Sequence, residues 1–243
     1  MILFAHLRHT KNVGDLACTP YHYFSLPGKK LADINSDLPE SDAVIFGGGA
    51  IEYTMAGEKG VQHRVKAKRK IAWGVGSSAH GKKTHPAPPK GLDLTGIREY
   101  GREGGTYVPC VTCMLPFFDN VPAPETDVVT FFNADSKIAK PEIGDFPTLE
   151  NVSSLQETLS FLARGETVIT NSYHGAYWAT LMGRKVVCFP YSSKFYGYKC
   201  PPIMSDKDSW QEALPQARAY SEYRDDCRYE NLQFFKKVTD LVF

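Results

Sequence analysis

The chain has 243 residues, which is enough for one large domain or two small ones with a buried core. Its 28 Lys and Arg residues nearly balance its 27 Asp and Glu residues, so no overall field favours nucleic acid or a membrane surface as a partner. No apolar run is long enough to span a bilayer. The first residues, MILFAHLRHT, are too short and too polar for a signal peptide, so we expect a first strand and a cytoplasmic protein.

The first half of the chain predicts alternating strands and helices. Apolar, β-branched runs favour buried strands at 2–7, 43–46, 71–75 and 94–99. We expect helices between them, at 16–24, from Ala50 onward and at 59–70, where a basic face would be solvated. Small residues recur where the strands end, and this repetition indicates a parallel sheet with helices between its strands.

Two glycine-containing loops follow predicted strands and are candidate binding loops. In the first, at 12–15, Gly14 permits close approach of a ligand and Asp15 can cap the following helix. The second loop, Gly47 to Gly49, either binds an anion through backbone N–H groups or forms a plain tight turn. It matches neither a dinucleotide motif nor a nucleoside triphosphate motif.

The middle of the chain carries a cysteine pair, a basic loop and a linker. Cys110 and Cys113 form a C-x-x-C, but the other four cysteines are scattered singly, so buried reduced thiols are favoured over a zinc site or a redox pair. A strand is expected to carry this pair at 107–115. Segment 80–91, HGKKTHPAPPKG, predicts a mobile loop, and 120–126 has the composition of a linker between units 1–122 and 123–243.

The second half repeats the strand and helix pattern. A strand is expected at 127–133, and a helix follows, with Leu155, Leu159 and Leu162 on one face and a capping box at 153–156 or 154–157. Further on, 167–194 predicts a strand, a helix and a second strand at 186–189. A terminal helix is expected from about residue 220.

The polar turn between the strand and the helix of segment 167–194 is a candidate site, because open α/β sheets bind ligands beyond the carboxyl ends of their strands. Asn171 and Ser172 follow the strand, and a helix begins near Tyr173 or His174. An imidazole there can exchange a proton near neutral pH, while the Ser172 hydroxyl and free N–H groups can hold an anion. Lys194, after the next strand, can add a positive charge.

The segment TNSYHGAYWATLMGRKVVCFPYSSK resembles the C-terminal signature of the polysaccharide pyruvyl transferase family. Three segments resemble further motifs of that family, in its order: the Asn-x-Gly-Asp at 12–15, the glycine triplet after a strand at 45–49, and the Arg-Glu at 98–99. Many members carry Arg two residues before the His, whereas this chain, like other members, has Ser172. Arg98 or Lys194 would then have to supply the cation for the donor.

The resemblance implies an α/β fold of two small Rossmann-like halves with parallel sheets, similar to the GT-B glycosyltransferases, and a C-terminal helix. It also implies transfer of a pyruvyl ketal group from phosphoenolpyruvate to a sugar of a surface polysaccharide or its lipid-linked precursor. His174 would be the acid/base catalyst and Asp15 an acceptor contact or second base. Substrate binding is expected from Asn12, Gly14, Gly47, Gly48, Gly49, Arg98, Asn171, Ser172, Tyr173 and Lys194.

Phosphoenolpyruvate would be a substrate, and no cofactor or metal is expected, since no carboxylate or His cluster has ligand spacing. The expected partner is a glycan or lipid-linked saccharide, with peripheral contact to a membrane-bound acceptor and without nucleic acid; the sequence does not indicate an oligomeric state. Two alternatives stay open. One is a GT-B-type glycosyltransferase that uses a nucleotide sugar, and the other is a non-catalytic glycan-binding protein, which Ser172 favours.

Overall fold

A computed structural model describes residues 1–56 and 59–243 of the chain. It confirms the α/β prediction, because the strands form two sheets in which all pairings between named strands are parallel. The first sheet has six strands in the order β2-β1-β3-β4-β5-β6. Their bounds are β1 Ile2–His6, β2 Lys29–Asp33, β3 Ser41–Phe46, β4 Ala67–Val75, β5 Leu94–Ile97 and β6 Thr106–Tyr107.

The second sheet has five strands in the order β11-β10-β9-β7-β8. Their bounds are β7 Thr126–Phe132, β8 Thr148–Glu150, β9 Gly165–Thr170, β10 Lys185–Cys188 and β11 Ile203–Met204. The α-helices are α1 Val13–Ala17, α2 Glu52–Met55, α3 Val61–Arg64, α4 Leu155–Arg164, α5 Tyr173–Leu181, α6 Trp210–Ala213 and α7 Tyr223–Val242. Among the described residues, no helix has both the length and the apolar character that crossing a membrane requires.

Helix α5 positions the centre of the second half. Ser172 caps it, since its hydroxyl accepts a hydrogen bond from Gly175 N at 3.3 Å, which confirms the predicted start. Every residue of α5 is buried. A helix that is buried on all sides needs small residues where it meets the sheet, and an added Cβ at Gly175 would lie 2.5 Å from the Phe131 ring.

Helix α7 packs against both halves of the molecule. Tyr223 and Cys227 belong to the core around α5, whereas Phe234 and Val238 belong to the core beneath the first sheet. Between them, Asn231 accepts a hydrogen bond from Trp73 Nε1 at 3.0 Å. The helix therefore ties the two sheets together, and the division of the chain into domains at 122 and 123 stays a prediction.

Three predicted elements are wrong. The helix expected at 16–24 begins at Val13 and ends at Ala17, because the chain then turns into a 3-10 helix, Pro20–His22, with Pro at its start. The helix expected at 59–70 is limited to the single turn of α3, because β4 begins at Ala67 and pairs with β3. The strand expected at 107–115 stops at Tyr107, and the cysteine pair lies around a 3-10 helix, Val111–Met114.

Strands β2, β8 and β11 were not predicted, since they are short edge strands. The capping box of α4 is confirmed at its second alternative: the Ser154 hydroxyl accepts from Glu157 N at 3.2 Å. All six cysteines, including Cys110 and Cys113, are free thiols.

Candidate active site

Loops at the carboxyl ends of both sheets meet around a small cavity of about 70 Å³. From the first half it is reached by the loops after β1, β3 and β5, and from the second half by those after β7, β9 and β10. The lining residues are Asn12, Asp15, Ala50, Arg98, Asn133, Ser172, Tyr173, His174 and Lys194. The structure thus brings together most of the residues that the sequence singled out, from segments as far apart in the chain as Asn12 and Lys194.

A second, larger cavity of about 420 Å³ adjoins the first and shares Asn12, Asp15, Asn133 and Lys194 with it. Its other lining residues are mostly polar: Thr10, Lys11, His80, Ala134, Asp135, Ile138, Asn151, Val152 and Tyr191. A water molecule occupies about 30 Å³, so a cavity of about 70 Å³ has room for a group the size of a carboxylate or phosphate. A sugar ring needs the larger one.

His174 stands at the N-terminus of α5 and is only 4 % exposed, although it lines the small cavity. Its Nε2 lies 3.6 Å from Cys110 Sγ. The ring edge with Nδ1 faces Gly14, where an added Cβ would lie 1.9 Å from Nδ1. Glycine is therefore needed at position 14 for the backbone of the first half to approach the imidazole of the second half.

Asp15 does not cap α1, so the predicted capping role is wrong. The cap is Asn12, whose side-chain oxygen accepts a hydrogen bond from Gly14 N at 3.0 Å. The Asp15 carboxylate makes no hydrogen bond within the described part of the chain, and it lines both cavities. This arrangement leaves it available as a base or as a hydrogen-bond acceptor for a substrate.

Arg98 brings a buried positive charge to the cavity, and the residue is only 3 % exposed. Its Nε donates to Glu99 Oε1 at 3.3 Å, and its guanidinium carbon lies 4.1 Å from the centre of the Tyr173 ring. Its Nη2 is buried without a hydrogen-bond partner among the described residues. A buried, unsatisfied donor on a cation costs free energy, and an anion in the adjacent cavity would satisfy it.

Lys194 adds a second cation whose charge depends on pH. Its Nζ donates to the Tyr191 hydroxyl at 2.5 Å. Burial lowers the pKa of Lys194 to about 8, although the nearby Asp15 carboxylate acts in the opposite direction. Near pH 8 this ammonium can therefore lose its proton.

The glycine triplet and Asn171 lie outside the walls of these two cavities. Gly47 N donates to Ala5 O at 3.2 Å and Gly48 N donates to Cys18 O at 2.9 Å, so these two N–H groups are already used within the protein. Asn171 holds loops in place: its side-chain oxygen accepts from Asn133 N at 2.7 Å, and its amide donates to Ala139 O at 3.2 Å. A direct substrate contact of these residues stays a prediction.

Sequence reasoning missed Asn133, Ala50 and several residues of the larger cavity. Asn133 directly follows β7, so the rule that sites form at strand ends could have found it. His80 comes from the basic loop 80–91, which returns to the site because Gly81 N donates to Tyr191 O at 3.0 Å. No local signal in the sequence predicts that contact. Within the described ranges no three His, Cys, Asp or Glu side chains are grouped as a metal site.

Neither a comparison with curated protein sequences nor one with solved structures gave a match. A comparison with models of protein families matched the model described as polysaccharide pyruvyl transferase, over residues 4–193. That segment contains both sheets except β11 and the first two residues of β1. It also contains all the residues around the small cavity except Lys194, which follows its end directly. Because the match spans most of the 243 residues, the chain belongs to the polysaccharide pyruvyl transferase family and is a transferase.

Proposed function

We propose that the protein transfers a pyruvyl group from phosphoenolpyruvate to a sugar of a surface polysaccharide or its lipid-linked precursor, forming a ketal, and that it works in the cytoplasm. Family membership gives the reaction class. The observation that carries the choice of donor is Arg98, a buried cation with an unpaired Nη2, beside a cavity that also contains Lys194. Phosphoenolpyruvate is a small molecule with two anionic groups, and these two cations match them.

The volume of the small cavity supports the same donor. About 70 Å³ accommodates one anionic group, so the carboxylate or phosphate of the donor would enter it while the rest lies towards the larger cavity. Ser172 replaces the Arg of many family members. In this chain Arg98 of the first half, whose guanidinium lies over the Tyr173 ring of the second half, takes over that charge.

The chemistry needs one acid and one base, and the cavity supplies both. A proton from His174 adds to the methylene carbon of the donor, and positive charge develops on the neighbouring carbon. A sugar hydroxyl attacks that carbon while its proton passes to Asp15. The C–O bond to phosphate then breaks with its electron pair, and the phosphate takes the proton from Asp15. A second hydroxyl attacks the same carbon and returns a proton to His174.

The larger cavity suits the acceptor. Its wall offers side-chain amides and carboxylates from Asn133, Asp135 and Asn151, which can hydrogen-bond to sugar hydroxyls. The rings of His80 and Tyr191, with centroids 5.3 Å apart, provide an apolar surface for one face of a sugar ring. Because Asp15 lines both cavities, it can contact an acceptor hydroxyl and the donor together.

The basic loop 80–91 is the part of the protein that we assign to an anionic, membrane-bound acceptor. It places His80 in the larger cavity and exposes Lys82 and Lys83 beside it. A glycan linked to a lipid diphosphate would bring negative charge to this edge. Transfer to such an acceptor is then expected to weaken as salt rises, and a rate independent of salt would remove this assignment.

A donor panel tests the proposal. A ligand at 100 times its dissociation constant adds about 2.7 kcal/mol to stability. For a chain of this size that is a rise in melting temperature of roughly 5–10 °C. We expect this rise with phosphoenolpyruvate and not with UDP or GDP. A rise with the nucleotides alone would identify a glycosyltransferase, and glycan binding without donor binding would indicate a non-catalytic protein.

Product formation completes the test. Mass spectrometry of an acceptor incubated with phosphoenolpyruvate is expected to show the added pyruvyl group. His174→Ala is expected to abolish transfer while the melting temperature still rises with the donor, since Arg98 and Lys194 remain. Retained turnover in this variant would contradict the role of His174.

A further inference from the structure

Cys110 contacts the histidine that the reaction uses, although it belongs to the other half of the molecule. Its Sγ lies 3.6 Å from His174 Nε2, and both residues are buried. Its backbone is fixed as well, because the Tyr177 hydroxyl donates to the Cys110 carbonyl at 2.8 Å. The other cysteine of the C-x-x-C behaves differently: Cys113 Sγ accepts from Asn231 Nδ2 at 3.5 Å.

A chain of hydrogen bonds leads from Trp178 to this contact. Trp178 Nε1 can only donate, and it donates to Thr112 Oγ1 at 2.9 Å. The Thr112 hydroxyl lies 3.2 Å from Cys110 Sγ, so its own hydrogen is available to the sulfur. When the Thr112 hydroxyl donates in this way, the sulfur accepts, and its S–H is left to donate to His174 Nε2.

We propose that Cys110 is a positioning residue that holds His174 in the tautomer with the proton on Nδ1. This inference rests on the proposed function, in which His174 is the acid. If the S–H donates to Nε2, the neutral ring must carry its hydrogen on Nδ1. If that proton moves to Nε2, the sulfur becomes a thiolate and Nδ1 still carries its hydrogen. In both forms Nδ1 can protonate the donor.

The position of Nδ1 agrees with this role. It has no hydrogen-bond partner among the residues that the structure describes, and it lies beside Gly14. Gly14 belongs to the same loop as Asn12 and Asp15, which both line the cavity. When Nδ1 gives its proton to the methylene carbon, the S–H proton can pass to Nε2, which leaves a thiolate. When an acceptor hydroxyl returns a proton to Nδ1, the proton on Nε2 returns to the sulfur.

The surroundings of Cys110 tolerate such a thiolate. Burial alone would raise the pKa of the Cys110 thiol, but hydrogen bonds from Cys18 and His174 lower it well below its usual range. The same contact with Cys110, together with burial, raises the pKa of Cys18 well above its usual range. The other titratable or charged groups around His174 are Asp15, Arg98, Tyr173 and Lys194, which line the cavity with it.

The first test reads the tautomer directly and needs neither donor nor acceptor. The protein is labelled with ¹⁵N in its seven histidines, and the His174 signals are identified by their loss in His174→Asn. We expect a protonated Nδ1 in the free protein. An unprotonated Nδ1 would overturn the proposal, whatever the donor proves to be. Failure of pyruvyl transfer with a protonated Nδ1 would count against the proposed function alone.

The second test uses variants, with Cys113→Ala as the matched control for loss of a buried thiol. Cys110→Ala is expected to lower kcat roughly 10- to 100-fold with little change in KM, and to shift the pH profile of kcat. This loss is smaller than the about 10⁴-fold loss when the carboxylate that orients a protease histidine is changed, because the contact here is longer and involves a thiol.

Cys110→Ser can still donate to Nε2 and is expected to recover part of the lost kcat. Equal kcat and pH profiles in Cys110→Ala and Cys113→Ala would overturn the proposal. So would an equal loss in Cys110→Ser and Cys110→Ala when both variants melt like the wild type.

Discussion

Lys194 is expected to make donor binding depend on pH. Its pKa lies near 8 because burial disfavours the ammonium, so the side chain is charged below pH 8 and neutral above it. Affinity for an anionic donor is therefore expected to be full below pH 8 and to fall above it, by up to about tenfold per pH unit. Calorimetric titration of phosphoenolpyruvate at pH 7, 8 and 9 measures this fall.

Lys194→Arg is the control, because a guanidinium stays charged across this range. Its donor affinity is expected to vary little between pH 7 and pH 9. The explanation is wrong if the wild type and this variant show the same dependence on pH.

Gly14 offers a steric test of where the His174 ring lies. An added Cβ would lie 1.9 Å from Nδ1, so Gly14→Ala must displace the imidazole or the start of α1. We expect a loss of about 1–3 kcal/mol in the free energy of unfolding, together with loss of transfer activity. In a His174→Ala background the ring is absent, and the same substitution is expected to cost much less. Chemical denaturation of the four proteins gives this comparison, and equal costs in both backgrounds would refute the contact.

The residues of the site could be predicted where the sequence marks them locally. Glycine or polar residues after a strand indicated Asp15, Ser172, His174 and Lys194, and the resemblance to the family added Arg98. Cys110 could not be connected with His174 in this way, since they are 64 positions apart and meet only through packing of α5 against the 3-10 helix Val111–Met114. The C-x-x-C pattern indicated only two buried reduced thiols, Cys110 and Cys113, and the second of them contacts Asn231.

At the scale of elements, a buried ion-pair cluster joins α2 to the loop after β5. Arg102 forms two hydrogen bonds with the Glu52 carboxylate, at 2.7 and 2.8 Å, and one with Glu99 at 2.9 Å. The Glu99 carboxylate also accepts a hydrogen bond from Nε of Arg98. The cluster therefore supports the residue to which we assign the donor anion.

Arg102→Ala is expected to cost about 3–5 kcal/mol in the free energy of unfolding, because it leaves buried Glu52 and Glu99 carboxylates without their cation. Burial already raises the pKa of Glu52, and Arg102 opposes that rise. The matched control is Arg69→Ala, since Arg69 pairs with Asp93 at an exposed position and such pairs contribute about 0–1 kcal/mol. If both variants lose the same free energy of unfolding in urea denaturation, the buried cluster contributes no more to stability than the exposed pair.

The error at 59–70 has a cause in tertiary structure. Lys66, Lys68 and Arg69 indicated a solvated helix, but β4 begins among them because pairing with β3 decides the local conformation. The charged start of β4 is exposed or half-buried, whereas its last five residues are buried. Tertiary pairing thus overrides a charge pattern, whereas the capped and strongly periodic helix α4 was predicted correctly.

At the scale of the whole molecule, the two sheets were predictable but their connection through α7 was not. Alternating strands and glycine loops indicate parallel sheets wherever they occur. The apolar positions of α7 predict a helix, yet they do not reveal that its first turns pack beside α5 and its later turns beneath the first sheet. The linker composition at 120–126 indicated a boundary, and the helix spans that boundary through Asn231 and Trp73.

This arrangement predicts that the two halves unfold together. Phe234 is 1 % exposed and packs edge-on against Trp73, with ring centroids 5.3 Å apart, so Phe234→Ala is expected to cost about 3–5 kcal/mol. Leu232 on the same helix is 48 % exposed, and Leu232→Ala is expected to change stability by less than about 0.5 kcal/mol. Calorimetry of Phe234→Ala is expected to show one transition, lowered by roughly 6–20 °C.

The same experiment can include the donor, because its site lies between the halves. If α7 couples them, phosphoenolpyruvate raises the single transition of Phe234→Ala as it does that of the wild type. If the first half melts alone, two transitions appear, and the donor raises only the first, since the second begins after the shared cavity is lost. Two separate transitions in the wild type would contradict the coupling, because they would show that packing of α7 against both cores does not make the halves unfold together. The site between the two sheets would then be held in place by its loops alone.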